Sequence, residues 1–453
     1  MNYIKMIWDL WNLKRNEKKS VVEISALQDK KLKRLLHYAY EHSAYYRNSF
    51  ERAGITAEAI DSTPLSAFPV IDKSVLMSQF EKIVTVPELT QAEIRSFDER
   101  ETVGGKLFRG RYHIVHSSGS TGTPKYFVYD ENAWNCMLPG IVRGALWNMT
   151  MPQILKFLAH GPRIVYIAAT NGRYGGAMAV SDGVSGVGAK QMYLDINTPV
   201  EEWIQNIKEF QPNMIIGYPS AIKILAELVC KGSLSLKVSR IVTCGEPLGT
   251  GLRRYLEDVF GAEVINFYGA SESLSMGVEG SPQEGMLLFD DMNVIEIQDG
   301  VMYLTCLYNF AQPLIRYRLS DQLTLRAPDG DSRYPFTRAT GLLGRNEDIL
   351  WFQDGSGRRE FLHPLAVEGF CIQGLCDYQF RQISPDTFEM LAEVSDDTLR
   401  ESVRVKILQQ MKGILREKGL EYVQFYVEFV SEILPDSGTG KKRLILASEE
   451  ENI

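Results

Sequence analysis

Between residues 163 and 269 short apolar runs alternate with amphipathic stretches, and this order restricts the chain to few architectures. RIVYIAA (163–169), PNMIIGY (212–218), SRIVTCG (239–245) and AEVINFYG (262–269) read as buried strands. The stretches EEWIQNIKEF, AIKILAELVCKG and GLRRYLEDVFG between them read as amphipathic helices. Strand–helix alternation predicts a largely parallel sheet with helices on its faces. Ligands of such folds bind beyond the carboxyl ends of the strands, so residues just after these runs are where chemistry is expected.

The flanks differ. The first hundred residues read mainly as helices: LKRLLHYAYEHSAYYRNSFERAG predicts one ending at Gly54, Pro64 and Pro69 mark a loop, and VIDKSVLMSQF predicts another. His37 and His42 lie on this aromatic surface and read as packing residues. After residue 285 the chain becomes strand-rich, with GMLLF, NVIEIQDG, VMYLTCLYN and QLTLRAPDG punctuated by Asp-Gly turns. A boundary is expected near Gly344–Asp348. Beyond it Leu399, Val403, Ile407, Met411 and Leu415 share one helical face, and YVQFYVEFV alternates as a strand. The expectation is therefore an α/β protein: a large domain over 1–343, with a helical entry over 1–110 and a strand-rich subdomain over 285–343, then a small α+β domain over 344–453.

The 453 residues suffice for two or three domains, and a formal charge of −8 gives no chain-wide basic surface for nucleic acid. A local phosphate site stays open, because backbone amides can bind phosphate in a neutral loop. Cys136, Cys230, Cys244, Cys306, Cys371 and Cys376 form no CxxC pair, so scattered buried thiols in a reducing cytoplasm are expected. No apolar run approaches the length of a membrane span, and the start lacks a signal-peptide pattern. Ile4, Ile7, Trp8 and Trp11 beside a basic cluster from Lys14 to Lys19 could dock to a membrane or a partner; a helix packed on the protein's own body is the expectation.

Five stretches carry candidate chemistry. In HSSGSTGTPKYFVYD, residues Ser117 to Thr123 are all Ser, Thr or Gly, and Lys125 follows Pro124. Small residues let amides approach an anion and the lysine adds charge, which suits a polyphosphate; the spacing is not that of a P-loop, and a flexible linker is the other reading. In NFYGASES, Glu272 is a lone carboxylate at a strand end that could hold Mg²⁺, or be a solvated turn residue. In PLIRYRLSDQ, Arg316, Arg318 and Asp321 enter a turn, where Asp321 could bind ribose hydroxyls or form a surface ion pair. GLLGRNEDIL brings Arg345, Glu347 and Asp348 to the boundary, and EILPDSGTGKKRLI offers Lys441 from a Gly-rich loop.

Taken in order, SSGSTGTPK, YGASE, YRLSD, GRNED and PDSGTGK resemble the stations of the acyl-adenylate-forming superfamily, from about Ser117 to Lys441. IIGYPSAIKILAE, VTCGEPLGTGLRRYLEDVFGAEVINFYGASE and HYAYEHSAYYRNSFERAGI are similar to the phenylacetate–CoA ligase branch. GRNEDILWFQDGSGRREFLHPL is similar to that branch's capsular-polysaccharide-associated members.

The resemblance implies an ATP-dependent ligase that forms an acyl-AMP and passes the acyl group on. The acceptor would be CoA, or alternatively an amine or a carrier protein; a non-catalytic adenylate-binding scaffold is the reading from another class. It implies that Ser117, Ser118, Gly119, Ser120, Thr121, Gly122 and Lys125 form the phosphate loop. Gly245, Glu246 and Pro247 would border the adenine, with Tyr268, Gly269, Ala270 and Ser271 beside it. Glu272 would bind Mg²⁺, Asp321 the ribose, Arg345 would sit near the nucleotide, and Lys441 would enter on a mobile small domain. Two stations depart from the usual pattern: Glu347 stands where the hinge is usually Asp, and Leu319-Ser320 replaces Thr-Gly before Asp321. SESLSMGVEGSPQEGMLLFDD lacks the Cys/His cluster of many branch members, so no structural zinc is expected. Arg163, Asn171, Arg173, Tyr174 and Tyr218, near strand ends, are candidates for the acid pocket.

Overall fold

The computed structural model describes residues 3–86, 88–100, 107–117, 125–168, 178–179, 182, 189–246, 248–319, 321–328, 332–343, 350–354, 359–362, 364–367, 370, 372–433 and 444–446. The entry is helical: α1 (Tyr3–Asn16), α2 (Val21–His42), α3 (Ala44–Arg52), α4 (Lys73–Ser78), α5 (Phe80–Ile83) and α6 (Gln91–Arg100). Ser20 and Glu23 form a capping box that starts α2. The helix expected to run on to Gly54 is broken at Ser43. That residue is extended, and its hydroxyl accepts from Tyr46 N while donating to the Lys82 carbonyl. A serine can serve the backbone as a cap as readily as it can continue a helix, and apolar periodicity does not register the difference. VIDKSVLMSQF is likewise two short helices, the first capped by Asp72.

Helix α1 packs on the protein's own body. Met6 and Leu10 are buried, whereas Ile4 and Trp8 face solvent. Its end meets a buried ion pair: the two terminal guanidinium nitrogens of Arg143 donate to the Asp291 carboxylate at 2.8 and 3.0 Å, and Asn16 donates to the same group at 2.8 Å. Phe289 lies under the guanidinium, 3.9 Å from its centre.

A hairpin, β1 (Tyr112–Ser117) and β2 (Lys125–Asp130), leads into α7 (Glu131–Ala145) and α8 (Met151–Ala159). Next come β3 (Arg163–Ala168), β4 (Lys190–Asp195), α9 (Val200–Phe210), β5 (Met214–Gly217), α10 (Pro219–Cys230), β6 (Arg240–Cys244), α11 (Thr250–Phe260) and β7 (Glu263–Ala270). Then follow β8 (Ser273–Glu279), β9 (Met286–Leu288), β10 (Asn293–Gln298), β11 (Val301–Cys306), β12 (Tyr317–Leu319), β13 (Gln322–Arg326) and β14 (Arg338–Leu343). Nine of these strands form one sheet in the order β13-β14-β9-β8-β7-β6-β5-β3-β4. From β7 to β4 it is parallel, as the strand–helix alternation predicts; from β7 to β13 it is antiparallel. Helix periodicity between strands marks the parallel half, whereas the other half is joined by turns. Strands β10, β11 and β12 form a small separate sheet.

The C-terminal unit has its own core of Leu350, Phe352, Phe380, Phe388, Met390, Ile407 and neighbours. It contains β15 (Leu350–Gln353), β16 (Arg359–Leu362), α12 (Pro364–Val367), β17 (Leu375–Ser384), β18 (Thr387–Val394), α13 (Arg400–Glu417), β19 (Gln424–Phe429) and β20 (Ile445–Leu446). Helix α13 buries Val403, Ile407, Met411 and Leu415, the face read from the sequence. Among the described residues no helix is long and apolar enough to cross a membrane. The thiols depart from expectation: Cys306 is buried, but Cys136, Cys230 and Cys376 are exposed.

Candidate active site

The carboxyl ends of β5, β6 and β7 lie side by side, and each delivers one group of sequence-expected residues. After β5, Tyr218 begins α10 and is buried. After β6, Gly245 adopts φ +80°, and a Cβ there would stand 2.6 Å from the Tyr218 ring. Only glycine combines that conformation with so close an approach. Glu246 then turns onto the start of α10, where its carboxylate accepts from Ser220 N at 3.1 Å and Ser220 Oγ at 2.9 Å. An acid at a helix N-terminus satisfies open amides and faces the positive end of the dipole. The loop after β6 is thereby tied to the loop after β5. Burial and Glu246 push the Cys244 thiol up to about 12.

Strand β7 ends in a tight turn. The register shifts between Tyr268 and Ala270, Ala270 pairs with Ser273, and Ser271 and Glu272 form the tip. A Cβ on Gly269 would meet the Leu274 carbonyl at 2.6 Å, so this bulge requires glycine. The turn holds Glu272 at 4% exposure, so the solvated-turn alternative does not hold.

The β1–β2 hairpin closes over this turn. Lys125 Nζ lies 2.9 Å from Glu272 Oε1 and 3.4 Å from the Tyr317 hydroxyl. Tyr129 donates to the Ser271 carbonyl at 2.8 Å, and Ser271 Oγ to the His116 carbonyl at 3.3 Å. Since Ser117 pairs with Lys125, both ends of the Ser/Thr/Gly loop stand beside Glu272. Residues 118–124 of that loop lie outside the described residues, as do Asn171, Arg173, Tyr174, Pro247, Arg345, Glu347, Asp348 and Lys441.

Tyr268 brings in the last group. Its buried hydroxyl is hydrogen-bonded to Asp321, in the link between β12 and β13. Burial, then Asp321 and Glu272, raise its pKa well above the usual phenol value, so it is a neutral donor. Asp321 thus meets Tyr268 near the carboxyl end of β7. Arg316 is buried elsewhere, bonded to Glu296, Gln298 and the carbonyls of Ser66 and Phe68. Arg318 is exposed because β12 alternates, turning Tyr317 inward and Arg318 out. Arg163 is no pocket residue either: it begins β3, at the opposite end of the strand from the site, and bonds the Gln211 carbonyl.

Sequence reading missed Tyr317, Tyr129 and the His116–Asp98 contact of 3.0 Å. Tyr317 and His116 sit inside the quoted motifs YRLSD and HSSGS, so strand alternation could have found Tyr317. Asp98 comes from α6 and carries no sequence signal.

The arrangement gathers a cation, a buried carboxylate, a phenol and a second carboxylate at the carboxyl end of β7, in the middle of the sheet. Such a set has the chemistry to bind a polyphosphate and a sugar diol.

Comparisons agree with this geometry. The family model described as AMP-binding enzyme matches residues 110–287. The phenylacetate-coenzyme A ligase of Thermus thermophilus is 25% identical over 405 residues, covering 84% of this chain and 83% of that protein. Protein CapK of Staphylococcus aureus is 21% identical, covering 94% of this chain and 89% of its own length. The crystal structure of a 2-hydroxyisobutyryl-CoA ligase in complex with 2-HIB-AMP and CoA superposes with TM-score 0.60 at 19% identity, covering 96% of this chain and 92% of that one. Residues 110–287 thus match the AMP-binding enzyme family, the chain is similar over most of its length to phenylacetate–CoA ligases and to CapK, and it shares its fold with an acyl-CoA ligase.

Proposed function

We propose that this protein activates a carboxylic acid with ATP, forming an acyl-adenylate and pyrophosphate, and then transfers the acyl group to the thiol of CoA. The observation that carries this reading is the Lys125–Glu272 pair at the foot of the Ser/Thr/Gly loop, with Tyr268 and Asp321 beside it. A carboxylate is a poor acyl donor because its charge repels nucleophiles. Attack of its oxygen on the α-phosphate breaks the bond to pyrophosphate and leaves a mixed anhydride; the thiol sulfur then displaces AMP.

The residues divide the work. The loop from Ser117 to Gly122 and Lys125 hold the phosphates, Asp321 the ribose, and Gly245, Glu246, Pro247 and the turn from Gly269 to Ser271 the base. Glu272 is a buried oxygen donor and fits a hard cation, so it would hold Mg²⁺, which neutralises phosphate charge. Lys441 stabilises charge at the reacting carboxylate, brought in by the unit over 344–453 as it turns about Glu347, with Arg345 close by. Tyr218, Arg173 and Tyr174 line the acid pocket. Supply of ATP and CoA places the enzyme in the cytoplasm. An amine acceptor is the second reading, supported by an indoleacetate–lysine synthetase of Pseudomonas savastanoi that is 26% identical over 144 residues.

The test is acid-dependent ATP–pyrophosphate exchange over a panel of carboxylic acids, followed by a chase with CoA or amines. Exchange with no acid in the wild-type protein would overturn the reading. Lys441→Ala is expected to lower exchange by about two to three orders of magnitude while ATP still binds.

A further inference from the structure

Lys418, the residue that ends α13, is completely buried although it carries a charge. Its ammonium donates to the carbonyls of Ile196 at 2.7 Å and Thr198 at 2.6 Å, and lies 3.3 Å from Glu360 Oε1. Three acceptors use all three of its donors. Both carbonyls belong to the link between β4 and α9, in the large sheet's body, while Lys418 and Glu360 belong to the C-terminal unit. Glu360, also completely buried, reaches the same link and accepts from Val200 N at 2.9 Å. Rings close the contact: Phe361 packs edge-on against Trp203 at 5.7 Å, and the Lys418 ammonium sits 4.0 Å from the Phe361 centroid.

We propose that Lys418 is a positioning residue: with Glu360 it latches the C-terminal unit onto the β4–α9 link and so sets the orientation in which that unit meets the active site. The chemistry suits a contact that forms and breaks. An apolar residue here would fill the space but leave two buried carbonyls without a donor and the buried Glu360 carboxylate without a counter-charge. A buried ion pair adds little net stability yet specifies one geometry, and both ions are well hydrated once released. Burial lowers the Lys418 pKa to about 8 against the opposing pull of Glu360, Asp195 and Glu201. The docked amine thus carries a desolvation cost that release returns. The kinetic consequence rests on the proposed two-step reaction with a turning C-terminal unit; the latch itself does not.

Two variants approach the latch from opposite sides. Lys418→Met keeps length and removes the ammonium. Val200→Pro removes the amide that Glu360 accepts from and leaves the C-terminal unit untouched. Proline is tolerated there because Val200 is the first residue of α9 and Pro199, with ψ 145°, already has the backbone that a following proline demands. Amide hydrogen exchange is measured in full-length protein, over residues 196–203 for Lys418→Met and over 359–362 and 415–420 for Val200→Pro. Exchange is expected to quicken by about tenfold or more, the response of an interface whose docked population falls by that factor. In the same variants, single-turnover adenylate formation and the subsequent chase with CoA are expected to change by different factors, shifting the ratio of the two rates by about tenfold. Unchanged exchange in Val200→Pro would overturn the latch, whatever Lys418→Met does to folding. An unchanged ratio with quickened exchange would overturn the positioning role. A wild-type protein inactive with every acid sinks the proposed reaction but leaves the exchange experiment standing.

Discussion

Lys125 Nζ stands 2.9 Å from Glu272 Oε1, joining two residues 147 positions apart across the mouth of the Gly-rich loop. Each charge is the other's partner, and Glu272 is too buried to rely on water. Bound phosphates would draw the lysine away and leave the carboxylate to a cation. Glu272→Gln keeps the shape and removes the charge. Activity is expected to fall at least tenfold, with recovery shifted to higher Mg²⁺. A Mg²⁺ titration identical to wild type would make Glu272 a structural residue.

Gly245→Ala tests how the acid pocket is shaped. The backbone is at φ +80° and the added carbon would lie 2.6 Å from the Tyr218 ring. A left-handed alanine costs about 1–2 kcal/mol, and the ring must move besides. The expected outcome is a higher KM for the acid, through the displaced Tyr218 ring, and a higher KM for ATP, whose base Gly245 is proposed to border, alongside a modest loss of Tm. An unchanged KM for the acid would show that Tyr218 does not border it.

The Arg143–Asp291 pair, both side chains wholly buried, ties α7 to the strand-rich half and to Asn16 at the end of α1. Arg143→Met strands a buried carboxylate and is expected to destabilise the body by about 3–5 kcal/mol. The double variant Arg143→Met/Asp291→Leu is expected to regain most of that loss. Urea unfolding followed by tryptophan fluorescence measures both, and equal losses in single and double variants would contradict the account.

Asp290 predicts a stability that falls as pH rises. Its carboxylate accepts from Thr337 N at 2.6 Å, yet burial raises its pKa from 3.8 to about 6. The folded state therefore holds the proton more tightly than the unfolded chain. Ionisation costs stability: the cost is absent below about pH 4, grows up to about pH 6, and is complete above it. Asp290→Asn keeps an acceptor for Thr337 and removes the charge. It is expected to gain about 2 kcal/mol at neutral pH and almost nothing at about pH 4, read from denaturation at both values. A gain independent of pH would mean that the carboxyl does not titrate in this window.

Four of the five strands in the parallel half of the sheet, its three intervening helices and the buried face of α13 were legible in the sequence, because each is a local period of apolar residues repeated over a whole element; β4, which buries only Leu194, was not. So were the stations at the strand ends: Glu272, Gly245 and Tyr218 follow directly from where β7, β6 and β5 stop. What lay beyond local pattern was decided by packing. Ser43 broke a helix that its apolar spacing would have continued, since a hydroxyl aimed at the Lys82 carbonyl outweighs one missing turn. Arg316 and Asp321, neighbours in one motif, went to different places: Arg316 precedes β12 at φ +49° and bonds Glu296, while Asp321 follows β12 and meets Tyr268. The Lys125–Glu272 contact, the burial of Asp290 and Asp291, and the docking of Lys418 on the Ile196 and Thr198 carbonyls join segments far apart in the chain. The periodicity of a sequence reports which face of an element is apolar; it carries no distance between elements, and these ionic contacts exist only once the tertiary structure has set those distances.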